Sequence, residues 1–225
     1  MLYRSCIPSP EARPIVLFGP DLHSPSTLRA PSEAVAVHPS WGQKMGMGMD
    51  QGDIALVKFA GGLPEGYRKA SMIRSENSIQ NGRKVVLAGY GISNAVTKSG
   101  AGRLRKAEVS VINNRPGKSE MILDQGQGSG ACHGDSGGPA FIQRNGRLVL
   151  AGLTNRSYPP GAPDDCAHKV VYTKVPAYRS WIQKSERKWN SSKRRSLFEK
   201  HPLLGERSFA YHSVSSYQTC QSPRS

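Results

Sequence analysis

The residues best suited to chemistry lie in one unbroken run, His133-Gly134-Asp135-Ser136-Gly137-Gly138-Pro139, in which a serine is flanked by glycines. Glycines around a serine let a tight loop hold its hydroxyl exposed, and the missing Cβ at Gly134 lets another backbone come close. A serine hydroxyl is a poor nucleophile unaided. The reaction it suits is attack on an acyl carbon, which creates an oxyanion. The amide N–H groups of Gly134 and Ser136 are spaced to receive that oxyanion. The plainer reading is a glycine-rich turn before a strand, which is the default for a shorter string such as GxSG.

Such a loop needs strands to hold it. Short apolar runs recur between turn signals at residues 14–18, 33–37, 54–59, 84–88, 107–112, 139–143, 147–153 and 170–175, and their separators are rich in Gly, Pro, Asn and Ser. Asn145-Gly146 between two of these runs supplies the positive φ values of a tight hairpin. After Pro176, Tyr178, Trp181 and Ile182 fall on one helical face, so one terminal helix is expected. The chain has 225 residues with 24 glycines and 16 prolines, which favours a turn-rich all-β protein with a real core. Gly42 to Gly52 reads as a loop, and its Met45, Met47 and Met49 as loop padding rather than a metal or partner site.

The formal charge is +15, and residues 187–225 hold eight Lys or Arg against Glu199 and Glu206, so +6 of it sits in a basic tail. That tail is expected to be disordered beyond about Lys188, with weak polyanion contact as its one partner reading. No Arg-rich helix, aromatic ladder or zinc-finger pattern supports specific nucleic-acid binding. Cys6, Cys132, Cys166 and Cys220 form no CxxC pair or Cys/His cluster, so no metal site is expected. No apolar stretch approaches the roughly 18 residues that span a bilayer. The N-terminal residues lack the pattern of a signal peptide.

Gly134 to Pro139 resembles the GDSGGP nucleophile motif of the chymotrypsin/trypsin family, and Asp53-Ile54-Ala55-Leu56-Val57-Lys58 is similar to the segment bearing that family's triad acid. In family order, Val35 to Pro39 resembles the strand and His-Pro turn before the acid, and Gly89-Tyr90-Gly91 the Gly-Trp-Gly turn. Val171 to Val175 and Tyr178 to Ile182 resemble the closing strand and helix. The resemblance runs from about Cys6 to Gln183. It implies a double antiparallel Greek-key β-barrel with a C-terminal helix and an incomplete first barrel. A peptidase domain would cover residues 1–186 and the tail residues 187–225. The implied activity is serine endopeptidase cleavage of peptide or protein substrates in a secreted or extracytoplasmic setting, with no cofactor. Ser136 would be the nucleophile, Asp53 the acid that orients the base, and Gly134 with Ser136 the oxyanion donors.

The same resemblance pairs Cys132 with Cys166 in a disulfide and places Gly130, Ser157 and Val170 around the primary pocket. Gly130 stands where trypsin-like members carry an aspartate, which implies a neutral pocket for small or medium apolar side chains. The family's base belongs in an Ala-Ala-His-Cys type segment, and the matching residues here are Tyr3-Arg4-Ser5-Cys6, with Ser5 at the base position. The chain as given is therefore expected to be inert or weak, either through a start at an internal point of a longer protein or as a non-catalytic homologue that binds peptides in the same cleft. Asp135 precedes the serine where relatives insert a new N-terminal ammonium, so its carboxylate is expected to lack a partner and the oxyanion loop to collapse. An edge of the first sheet is expected to lie open. His23, His38, His133, His168, His201 and His212 fall outside the base's motif and are read as surface or loop residues.

Overall fold

The computed structural model describes residue 7 and residues 11–41, 50, 52–163 and 165–200, with side chains through 191. Its strands are β1 (Ile15–Phe18), β2 (Leu28–Val37), β3 (Ala55–Phe59), β4 (Ser71–Met72), β5 (Lys84–Gly89), β6 (Arg105–Asn113), β7 (Glu120–Asp124), β8 (Pro139–Arg144), β9 (Arg147–Tyr158) and β10 (Lys169–Lys174). A 3-10 turn, Val175–Tyr178, leads into the helix α1 (Arg179–Lys200).

Six strands close an antiparallel barrel in the order β5-β6-β7-β10-β9-β8, with β8 returning to β5. Side chains alternate across a strand, and here the alternation selects the core. Val85 and Leu87 of β5, Val109 and Val111 of β6, Met121 and Leu123 of β7, and Ala140 and Ile142 of β8 join Ala151 and Tyr172 in one buried cluster. Asn145 and Gly146 turn β8 into β9 with φ of 49° and 71°, as the hairpin reading requires.

A second antiparallel sheet, β1-β2-β3, packs against the barrel. Ile54 and Leu56 meet Phe141, Leu150 and Leu153 there, and Val175, Tyr178 and Ile182 complete the cluster. Phe141 and Leu150 are the alternate residues of β8 and β9, so the barrel is apolar on both faces where the sheet covers it. Among the described residues, β1 and β3 each have one strand neighbour, β2. The expected all-β architecture with a closing helix therefore holds, with the first barrel represented by three described strands.

Several elements depart from the sequence reading, among them the two-residue β4, which no apolar run marks, and β9, which extends to Tyr158. β2 begins at Leu28 instead of Glu33, and β7 had no counterpart because its apolar core, Met121 to Leu123, is only one short run between acidic residues. The helix continues through Lys200. No Gly or Pro interrupts residues 179–200, their Lys, Arg and Glu residues are good helix formers, and Trp189 packs against the same cluster as Ile182, seven residues earlier. The expected disorder from Lys188 is thus corrected for residues 188–200. The Tyr3 to Cys6 segment, Met45, Met47 and Met49, and residues 201–225 with Cys220, His201 and His212 lie outside the described residues.

Candidate active site

Ser136 lies on the loop joining β7 to β8, and glycines set that loop's path. Gly134 has φ of +92°, and a Cβ there would come within 3.1 Å of the Gly91 Cα, so both backbone and space demand glycine. The turn is tied to β9 by reciprocal bonds: the Gly137 N–H donates to the Thr154 carbonyl at 2.9 Å, and the Thr154 N–H donates to the Gly138 carbonyl at 2.8 Å. The Gly134 N–H donates to no described residue. It is a backbone donor two residues from the serine hydroxyl, placed by a loop in which the Cys132, Asp135, Gly137 and Gly138 amides are committed.

Asp135 is bound on both carboxylate oxygens. Oδ1 accepts the Gly91 N–H and Oδ2 the Cys132 N–H, each at 2.8 Å. A Cβ on Gly91 would come within 2.6 Å of this carboxylate, so the Gly-Tyr-Gly turn provides its socket. Burial pushes the Asp135 pKa up, against the pull of the two amides and of Arg105. The expected partnerless carboxylate is therefore corrected: backbone amides serve it where no ammonium does. A cavity of about 270 Å³ adjoins it, lined in part by Gly91, Arg105, Gly130 and Tyr172.

On the other side of the loop is a cleft of about 90 Å³, whose lining includes Ser136, His133, Asn155, Arg156, Ser157 and Val170. Ser157 and Val170 face each other in the β9–β10 ladder. Gly130 lines the Asp135 cavity instead. Between Gly130 and the cleft stands Gln125, which the sequence reading did not single out. Its Nε2 donates to the carbonyls of Ala131 and Cys166, both at 3.0 Å, and its Oε1 accepts the Ala131 N–H at 2.8 Å. A Cβ on Gly130 would come within 2.6 Å of this amide. Gln125 sits among glycines in a loop, and no spacing rule marks it. Among the described residues, no Asp or Glu lines the cleft.

Asp53 is fully buried just before β3. Its carbonyl accepts the Thr173 Oγ1–H at 3.3 Å, and Thr173 Oγ1 accepts the Asn155 Nδ2–H at 3.1 Å. Since Asn155 lines the cleft that holds Ser136, a two-bond bridge joins the acid's backbone to the wall beside the serine. Arg156, next on β9, binds the buried carboxylate of Glu120 with both terminal nitrogens, at 3.0 and 2.8 Å. This bidentate pair holds a guanidinium in the cleft wall already matched by charge.

Among the described histidines, His133 and His168 both line the Ser136 cleft, and His38 lies elsewhere. His38 holds its Nδ1 2.6 Å from the Ser40 Oγ, and its ring packs edge-on against Tyr178 and Trp181. Burial lowers its pKa. His133 is exposed beside Ser136. His168 lies 3.4 Å from Asp165, without hydrogen-bond geometry at its Nε2. Cys132, His133 and Cys166 place their donor atoms together, but the two sulfurs form a disulfide across a separation of 34 residues, which removes both thiolates a metal would need.

A model of the family described as Trypsin matches residues 6–182. The chain belongs to the trypsin family. Rat (Rattus norvegicus) kallikrein-8 is 35% identical over 143 residues, 59% of this chain and 52% of that protein. Urokinase-type plasminogen activator of Gallus gallus is 31% identical over 156 residues, 60% of this chain and 35% of that protein. The CLIP domain-containing serine protease B4 of Anopheles gambiae is 26% identical over 182 residues, 72% of this chain and 48% of that protein. The chain therefore spans about half or less of the curated relatives it matches. Membership makes the chain a relative of serine proteases and accounts for the barrel, the second sheet, the closing helix and the disulfide together. No helix among the described residues is long and apolar enough to cross a membrane.

Proposed function

We propose that the Ser136 cleft is that of a serine-type endopeptidase. The Ser136 hydroxyl attacks the scissile carbonyl, the Gly134 and Ser136 amides receive the oxyanion, and Asp53 orients the base that takes the hydroxyl proton. The observation that supports this best is the Gly134 amide, uncommitted among the described residues, in a loop tied to the same strand that reaches Asp53 through Asn155 and Thr173. The pocket takes small or medium uncharged side chains, because Gln125 occupies the space beside Gly130 and no carboxylate among the described residues lines the cleft. The disulfide fits an oxidising, secreted setting.

The second reading, a non-catalytic homologue that holds peptides in this cleft, is favoured by Ser5 at the family's base position. Without a base the hydroxyl stays protonated, a loss on the order of 10⁴ to 10⁶ in rate. Labelling with a fluorophosphonate separates the two. The enzyme reading expects slow modification confined to Ser136, abolished in Ser136→Ala and accelerated in Ser5→His. If Ser5→His folds and remains unlabelled, the peptidase reading fails and the binding reading stands.

A further inference from the structure

Away from the Ser136 cleft, the loop between β4 and β5 and the loop between β6 and β7 enclose two adjoining cavities of about 300 and 570 Å³, which share Glu76, Asn77, Arg115 and Lys174. Arg74 and Lys118 add to the lining of the larger one. Four cations thus border one hollow whose lining contains a single acid.

That acid is already committed. Lys174 is 2% exposed, and its ammonium donates to Glu76 at 2.5 Å and to the Asn114 carbonyl at 3.2 Å. A buried lysine requires such neutralisation. A further carboxylate that reaches the β6–β7 loop, Asp50 from between β2 and β3, is turned to the backbone: it accepts the N–H groups of Lys118 and Ser119 at 2.7 and 2.5 Å and the Ser119 hydroxyl at 2.7 Å. The side chains of Arg74, Arg115 and Lys118 make no ion pair among the described residues, and all three are exposed. Three like charges around one hollow repel one another, and the arrangement gains only when an anion enters. Guanidinium groups match the paired oxygens of a sulfate or phosphate group.

We infer that this hollow binds the sulfate groups of a sulfated glycan. Three observations favour that source over a nucleic acid. The site is concave, with a volume suited to a sugar residue or two, and a rigid duplex backbone would bridge it without entering. No aromatic side chain lines it for base stacking. The Cys132–Cys166 disulfide fits the oxidising exterior, where polyanions carry sulfate. The inference requires only this compartment and the fold, not a working Ser136.

The test measures binding of the full chain to a sulfated heparin-type hexasaccharide, by calorimetry at two salt concentrations. The variant Arg74→Ser/Arg115→Ser/Lys118→Ser is compared with Arg29→Ser/Lys69→Ser/Arg147→Ser, which removes equal charge from exposed positions outside both cavities. Both variants are first checked for native circular dichroism, and surface substitutions of this kind leave folding little changed. The expected result is at least a tenfold weaker affinity and a shallower salt dependence in the first variant alone. Equal losses in both variants would mean general attraction to net charge and overturn the site, as would no loss in either, which would assign binding to the basic tail. A single-stranded oligonucleotide that binds as tightly, with the same dependence on Arg74, Arg115 and Lys118, would overturn the glycan assignment. Fluorophosphonate labelling of Ser136 is a separate readout, so failure here leaves the peptidase reading untouched.

Discussion

Asp135 shows how a single carboxylate can be fully hydrogen-bonded and still be a source of pH dependence. Its two backbone donors favour the ionised form, but burial opposes them and prevails, so its pKa lies above the ordinary value. The folded chain then holds the Asp135 proton to higher pH than the unfolded chain does. Its contribution to stability is complete below the unfolded pKa and is lost as pH rises through the folded one. Wild-type protein should therefore lose thermal stability relative to Asp135→Asn, which cannot ionise, as pH rises above the ordinary carboxylate value of about 3.9. Comparing melting midpoints of the two proteins as pH rises cancels the other carboxylates. A constant difference would mean that burial of Asp135 carries no net penalty for its charge.

The loop from β7 to β8 depends on a covalent brace at one end and backbone bonds at the other. Cys132 and Cys166 close a loop with a separation of 34 residues, and Gln125 bonds to the Cys166 carbonyl within it. In the chain-entropy account such a closure stabilises by roughly 3 to 4 kcal/mol. Cys132→Ala/Cys166→Ala should lower the melting midpoint by on the order of 10 °C, and it should expose the loop to proteolysis between β9 and β10 before the barrel unfolds. A midpoint unchanged by the double substitution would show that Gln125 and the β9–β10 ladder suffice. The pairing was legible in the sequence through family resemblance, and the strands with clear alternation through their pattern, while Ser136 and Asp53 stand as the candidates that resemblance proposes. Asn155, Thr173 and the Arg156–Glu120 pair were not legible, because each is a polar residue whose partner is remote in the sequence, and neither was Gln125, whose bonds to Ala131 and Cys166 are made between loops. Glu120 even concealed β7, since an acid at the edge of a three-residue apolar run reads as a loop until its buried counter-ion is seen. The helix was legible at its start, where Tyr178, Trp181 and Ile182 fall on one face, and illegible further on, where Trp189 packs against the same cluster.

At the scale of the molecule, the barrel and the three-stranded sheet each bury a cluster of their own and are joined by a third, shared apolar seam. Ile54 is fully buried in it, beside Phe141, Leu150 and Leu153 of the barrel and Ile182 of α1, and its carbonyl accepts the His38 N–H at 3.1 Å. Asp53 precedes it, so the seam that joins the two sheets also fixes the acid on which the proposed chemistry depends. Truncating a side chain of this size in a packed core costs roughly 2 to 5 kcal/mol through lost transfer energy and the cavity left behind. Ile54→Ala should lower the unfolding free energy by that amount, and the urea midpoint with it, in a single transition seen alike by circular dichroism of the strands and by tryptophan fluorescence, since Trp181 and Trp189 pack against the seam. If the sheet and the barrel were separable, the fluorescence transition would move and the barrel's dichroism would not. One shared shift, with fluorophosphonate labelling of Ser136 reduced at the same time, would tie the stability of the seam to the placement of Asp53.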